Sequence, residues 1–551
     1  MTNINSKIKE ILINIIADFQ KEEIISQELN LAELNFILAE PNIQKDDQTK
    51  YNYATNIAMV VKRFSTKNPM ELAELIQQKL ILNELIECVD LAKPGFINIV
   101  LSNKAFLSIL NNVLDSKINY GSNLFENNDK YIVEFVSANP TGFLHVGHAR
   151  GAIIGDTLVR ILRHVGFDVI AEYYVNDAGN QINVLIESTK VRYFNLFDID
   201  MQMPEDCYRG LDIVWLASEI KKEYGDEFLL DFELKIKKFR EICISKLLDK
   251  IREHLRELNV SFDVFTSEFD DIYNKNKITP IFDKLKNHIY EKDGATFLKT
   301  SEFGDDKDRV LVKSDGSYTY FTPDIAYHND KLSRANKLIN VWGADHSGYI
   351  NRMEIALECL GYNKEDMDIL VVQLVRLIKD GNEFKMSKRA GTSVTLADLL
   401  EASSTDAIRF TMLTRDANTK FDFDIDKANQ KDINNPVFGV QYAHSRACSL
   451  IKKYVPNSTE AINGDFDEKT KKLIIQLDIL PDVLRSVAQT KKVQLLSSYV
   501  INLASAFNSF YSNTKILGSE SEASLMIVVK AVKEVLHNTL ELLGVSAPEQ
   551  M

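Results

Sequence analysis

At 551 residues, with 45% apolar and 26% charged content, the chain is too long for one ordinary domain and has the make-up of a soluble globular protein with about three or four cores. The formal charge of -14 argues against indiscriminate nucleic-acid binding, while leaving room for a polyanion that meets a local basic stripe. The five cysteines are scattered, with no CxxC pair, so neither a zinc site nor a disulfide framework is expected, and a reducing compartment fits.

Ile8, Ile11, Leu12, Ile15, Ile16 and Phe19 share one face of an amphipathic first helix, which Lys7, Glu10 and Asp18 keep from reading as a signal-peptide core. No run of about 18 uncharged apolar residues follows anywhere. The pattern predicts a second helix over 53–64, a third from Pro69, a strand in 94–102, and a helix over 104–114 capped by Asn103. Residues 1–116 read as a small α+β domain, and 115–130, rich in Asn, Gly, Asp and Ser, as a linker.

An apolar run at 131–136 then meets a Pro-Thr-Gly turn at 140–142, and a helix carrying Gly147, Gly151 and Gly155 follows, ending near Gly166 before a second strand at 167–175. Strand, turn, helix and strand make a nucleotide-binding unit. His145 and His148 stand three apart where the helix begins, beside backbone N–H groups that have no intrahelical partner, a place suited to phosphate. Alone, the pair reads equally well as surface histidines on a tightly packed helix. The glycines are expected to let this helix lie close to a strand, and Gly147 to leave room for a flat ring. Residues 182–294 are mostly helical and charged, an insertion after which 295–298 and 310–312 are expected to return the chain to the sheet. The apolar run 367–378 is long enough to cross a parallel sheet buried on both faces, and it delivers a Gly-bounded loop holding Lys385, Ser387, Lys388 and Arg389. That cluster alone would be a solvated charge patch. Two such features after strands of one sheet together suit a triphosphate. From Leu396 the pattern is helical, broken at Pro436, Pro456 and Pro481.

HVGH at 145–148 and KMSK at 385–388 resemble the HIGH and KMSK signatures of class I aminoacyl-tRNA synthetases, in the same order. The texts SANPTGFLHVGHARGA, YYVNDAGNQ, SDGSYTYFTPDIAYH, VWGADHSGY and LLGVSAPEQM narrow the resemblance to the bacterial arginyl-tRNA synthetase family, over nearly the whole chain. One departure is Ile408 in the stretch 406–409, where the family's DALR has Leu, an apolar-for-apolar exchange. The resemblance implies an α/β protein: a Rossmann-like parallel-sheet catalytic domain at 117–400 with the helical insertion at 182–294, an N-terminal α+β domain at 1–116 of the tRNA-elbow-binding type, and an all-α anticodon-binding bundle at 401–551. It further implies activation of L-arginine by ATP to arginyl-adenylate, then transfer to the terminal adenosine 2′-hydroxyl of tRNA(Arg), with no protein nucleophile.

By the same resemblance His145, His148, Lys385 and Lys388 serve catalysis, and Gly147, Gly343, Asp345, Met386 and Ser387 line the ATP site. Glu134, Ser137, Asn139, Tyr320, Asp324 and His346 line the arginine site. For tRNA the chain offers Arg150, Lys379 and Arg389 near the site, and Tyr442, Arg446, Lys452 and Lys453 in the C-terminal region. Magnesium is expected with ATP, protein-bound zinc and a membrane are not, and the chain is expected to be monomeric and cytoplasmic, with arginine activation dependent on bound tRNA. A small nucleotidyltransferase is disfavoured by the length and the intact KMSK. A tRNA binder that no longer activates an amino acid is disfavoured because no motif histidine or lysine is lost.

Overall fold

The computed structural model describes residues 3–41, 51–126, 129–384, 394–432, 435–456, 462 and 464–551. In the N-terminal region the helix Ile4–Lys21 buries Ile8, Leu12, Ile15, Ile16 and Phe19 as its spacing predicts. Pro69 opens the helix Pro69–Leu80, where Asn68 and Glu71 close a capping box. Residues 53–55 differ from the sequence reading, forming a strand because they pair antiparallel with Ile97–Ile99, so only Ile57–Val61 is α-helical there. The strand Ile86–Ala92, which no alternation announced, flanks Phe96–Leu101 on its other side. Ser102 rather than Asn103 caps the helix Asn103–Ser116, its hydroxyl accepting from the Ala105 N–H.

The central layer is a five-stranded parallel sheet. Its elements, with two helices that matter below, are β1 (Lys130–Glu134), α1 (Val146–His164), β2 (Asp168–Val175), β3 (Val264–Ser267), α2 (Phe321–Arg334), β4 (Lys337–Gly343) and β5 (Met367–Val372). The strand order is β5-β4-β1-β2-β3, so the winding reverses between β1 and β4 and a crevice opens at their carboxyl ends. Asn340, Glu134 and Glu172 lie side by side across β4, β1 and β2.

Between β2 and β3 run the helices Asn180–Asn195, Leu211–Tyr224 and Phe232–Glu257, with a core of their own around Leu185, Leu216, Phe228 and Phe239. The chain rejoins the parallel sheet at β3, earlier than the sequence pattern suggests. Ala295–Leu298 and Arg309–Val312 instead join Ile289–Lys292 in a separate antiparallel sheet, since a tight turn at Asp293-Gly294, both at positive φ, can close only an antiparallel pair. The run 367–378 is likewise two strands. β5 stops at Val372, the Gln373 N–H donates to Ala417 O, and Val375–Lys379 pairs in parallel with Phe421–Asp424, which also interrupts the helical C-terminal region.

In the C-terminal bundle, α3 (Pro436–Lys453) packs against Gln494–Asn513 and α4 (Glu522–Leu543). Arg409 is fully buried at the junction of three regions. Its guanidinium donates to the carbonyls of Leu543, Leu258 and Asn259 and pairs with Asp156 of α1 at 2.6 Å.

Candidate active site

His145 caps α1. Its Nδ1 accepts from the Gly147 N–H at 3.1 Å, while the His145 N–H donates to Nδ1 of His148 at 3.2 Å, a capping box built from two imidazoles. Because both Nδ1 atoms accept, each neutral ring carries its proton on Nε2 and keeps that N–H to offer elsewhere. Burial, helped by the nearby His145, pushes His148 down to about 4, and burial also lowers His145. Neutral rings suit the place, since the ring centroids are 3.8 Å apart over the positive end of a helix. A Cβ at Gly147 would lie 2.8 Å from the His145 ring, so glycine keeps that ring where it is. Of the other helix glycines, Gly155 is the close approach, because a Cβ there would overlap the Phe135 ring, whereas Gly151 has its nearest neighbour at 3.9 Å.

Lys385, Met386, Ser387, Lys388 and Arg389 lie outside the described residues. Their flanks do not. The Phe384 N–H donates to Leu377 O at 2.8 Å on the way in. On the way out, the Val146 N–H donates to Val394 O at 3.1 Å and the Leu396 N–H to Leu144 O at 2.7 Å, so the chain leaving 385–393 is hydrogen-bonded to the first residues of the histidine motif.

The rest of the crevice is built by the strand ends and α2. Gly343 ends β4 and Asp345 and His346 follow it, and the Asp345 charge is felt at both motif histidines. Val136 and Ser137, just past β1, both have positive φ, an uncommon conformation for any residue but glycine and strained for a β-branched one. This bend lets the Ser137 hydroxyl donate to Glu134 at 2.9 Å and accept from the Tyr174 N–H at 3.1 Å. The Asn139 amide donates to Gln181 at 2.5 Å. Tyr320, at the head of α2, is 70% exposed and stands beside Gly179, so it is no core residue.

Glu134 is buried, and its charge is met from within by Lys331, fully buried, at 2.5 Å. Lys331 also donates to Asn340 at 2.9 Å, Asn340 to Nε2 of His328 at 2.8 Å, and Nδ1 of His328 lies 2.9 Å from Asp324 O. Burial, with Asp324 beside it, pushes the Tyr349 phenol well above its usual range. Lys331, His328 and Asn340 escaped the sequence reading. Helical spacing alone would have put Asp324, His328 and Lys331 on one face of α2, but nothing local tells which strand carboxylate that face meets.

Arg150 corrects an expectation. Rather than facing tRNA it is fully buried, donating to the backbone carbonyls of Gln373, Asp416 and Thr419 and so tying α1 to the segment after β5. Lys379, Lys452 and Lys453 are exposed. Arg446 lies between the Tyr442 and Tyr511 rings, 4.5 and 4.3 Å from their centroids, and donates to Asn508 and to the Tyr442 hydroxyl. Among the described residues no helix is long and apolar enough to cross a membrane, and no three His, Cys, Asp or Glu are grouped to hold a metal ion.

Comparison with known proteins covers the whole chain. The profile for "tRNA synthetases class I (R), catalytic domain" matches residues 109–438, that for "DALR anticodon binding domain" 440–551, and that for "Arginyl tRNA synthetase N terminal domain" 5–101. The arginine–tRNA ligase of Bacillus subtilis is 43% identical over 97% of this chain and 99% of its own length, and that of Listeria monocytogenes 42% identical over 99% and 100%. Among solved structures, an arginyl-tRNA synthetase from Campylobacter jejuni aligns at 34% identity with a TM-score of 0.75, covering 82% of this chain and all of its own. The Thermus thermophilus arginyl-tRNA synthetase, at 20% identity and a TM-score of 0.75 over the full length of both chains, shares the fold.

Proposed function

The chain belongs to the class I arginyl-tRNA synthetase family, and from that membership we propose that it is an ATP-dependent arginine–tRNA ligase whose two steps both run in the crevice between β1 and β4. In the first step an oxygen of the arginine carboxylate attacks the α-phosphorus of ATP in line, giving arginyl-adenylate and pyrophosphate. In the second, the 2′-hydroxyl of the terminal adenosine of tRNA(Arg) attacks the arginyl carbonyl carbon and AMP leaves. No protein group bonds to substrate, so the rate comes from positioning and from donors that meet charge as it grows on the phosphate oxygens.

The Nε2–H groups of His145 and His148 are assigned as two of those donors, with Lys388 and secondarily Lys385 as the cations. The observation that carries this is the hydrogen bonding of 394–396 to 144–146, which ties the exit of the lysine loop to the histidine pair. Gly147, Gly343, Asp345, Met386 and Ser387 are assigned to ATP, which brings its magnesium on its own oxygens. Asp324 is assigned to the guanidinium, Tyr320 to a wall of that pocket, Ser137 and Asn139 to the backbone end of arginine, and His346 to the rim. Glu134, already paired with Lys331, belongs to the pocket as its anchored floor. Arg389, Tyr442 and Arg446 are offered to tRNA. Residues 1–116, 117–400 and 401–551 divide as elbow-binding, catalytic and anticodon-binding domains of a cytoplasmic monomer.

ATP–pyrophosphate exchange with each amino acid, with and without tRNA(Arg), tests the reading. Exchange is expected with arginine only, and its absence even with cognate tRNA would overturn it. Asp324→Asn is expected to raise the arginine KM at least about tenfold with little change for ATP.

A further inference from the structure

The helical insertion has a core of its own, and the turn before the histidine motif reaches into it. Phe143, two residues ahead of His145, packs against the cluster that holds Leu185, Leu216, Phe228 and Phe239. Its ring meets that of Trp215 edge to face at 5.3 Å and that of His254 at 5.9 Å. Trp215 is half-buried on the helix Leu211–Tyr224. His254 is buried on the helix Phe232–Glu257, and its Nδ1 has no hydrogen-bond partner among the described residues, so its ring serves there as packing surface.

Two more contacts join the same turn to the insertion. The Asn139 amide donates to Gln181 at the start of the helix Asn180–Asn195, and at Gly142 the chain passes so close to Asp212 that a Cβ there would overlap its carboxylate. Each of the three insertion helices thus holds some part of 139–143. The ends of that stretch are tied elsewhere: the Tyr173 hydroxyl of β2 donates to Ala138 O at 2.7 Å, and Leu144 O accepts from the Leu396 N–H. His145 lies at most about 7 Å of chain beyond Phe143, which leaves little slack between them. A close-packed core passes a displacement on rather than absorbing it, so the insertion and the histidine motif are mechanically one piece.

We propose that the helical insertion is a positioning element for the first step, and that Phe143, packed on Trp215 and His254, is the residue through which it sets where His145 stands. The inference rests on the arginine-activating reading of this site. Trp215 and His254 belong to the insertion and act on the reaction only through Phe143. Asn139, held by a different helix of the insertion, keeps the amino-acid end of the turn in place when the ring contact is lost. The loss therefore falls on the phosphate donor rather than on arginine binding.

Arginine-dependent ATP–pyrophosphate exchange by the full-length protein, with tRNA(Arg) present, tests it. Phe143→Ala and Trp215→Ala are each expected to lower kcat about tenfold or more, with the arginine KM within about threefold of wild type. The double variant is expected to fall no more than about threefold below the less active single one, because one contact can be lost only once. Phe143→Leu, which still fills the insertion's core, is expected to return kcat to within about threefold of wild type. Thermal unfolding of the same variants separates positioning from plain packing. A lowered unfolding temperature with kcat within about twofold of wild type in both alanine variants overturns the proposal, and so do losses that multiply in the double variant. Should Phe143→Ala not fold, Trp215→Ala and Trp215→Leu decide under the same limits. Wild type that shows no exchange with arginine would sink the underlying reading of the site instead.

Discussion

The two motif histidines are donors because of how each is held, beyond their position at a helix start. Each Nδ1 is used up by a backbone N–H of the first turn, and burial keeps both rings neutral, so the Nε2–H groups can serve phosphate without two cations confronting each other 3.8 Å apart. His148→Ala is expected to lower kcat for arginine-dependent exchange about 100-fold or more while leaving the arginine KM within about threefold. A loss confined to arginine affinity would move His148 out of this role. Its titration also has a sign. The folded-state value of about 4 lies below the usual one for histidine, so its contribution to stability is complete above about 6.5 and is lost as pH falls toward 4. Urea unfolding should therefore show wild type losing more stability between pH 7 and pH 5 than His148→Gln does.

Among the elements, α1 carries most of the organisation: it presents the histidines, packs on the segment past β1 through Gly155, and reaches the C-terminal region through Arg150 and Asp156. The three glycines at every fourth position look alike in sequence, yet their surroundings differ. Gly155→Ala is expected to destabilise by about 1–3 kcal/mol, because the methyl group would overlap Phe135 within a packed layer. Gly151→Ala, whose methyl group would meet only Val341 at an ordinary contact distance of 3.9 Å, is expected to be neutral or to gain up to about 1 kcal/mol from helix propensity. Thermal unfolding of the two variants side by side checks the contrast, and equal shifts would show that α1 does not sit as closely as described.

At the scale of the molecule, one buried guanidinium holds three regions together. Arg409 collects carbonyls from the end of the helical insertion and from the end of α4, and pairs with Asp156 on the same helix that bears the histidines. Arg409→Ala would leave those carbonyls unmet and Asp156 with Arg160 alone, and is expected to cost about 3–5 kcal/mol in urea unfolding. Arg409→Lys should recover only part of this, since one ammonium cannot reach carbonyls spread around a planar fork. If alanine costs under about 1 kcal/mol, the junction is held by apolar packing instead.

The sequence by itself was enough for whatever depends on neighbours along the chain. The amphipathic first helix, the helix that opens at Pro69, the strand-turn-helix that bears His145 and His148, and the start of the helical insertion all follow from local spacing, and the motif text carried the family. Local pattern failed where pairing at a distance overrides it. Residues 53–55 became a strand through Ile97–Ile99, and 367–378 broke in two because its halves found different partners. The site divides in the same way. The family resemblance named the carboxylates Glu134 and Asp324, but nothing in the sequence gave a sign that Lys331 neutralises the first, 197 residues away. Charge balance in a buried layer is a property of which side chains the folded sheet and helix bring face to face, and only the tertiary structure decides that.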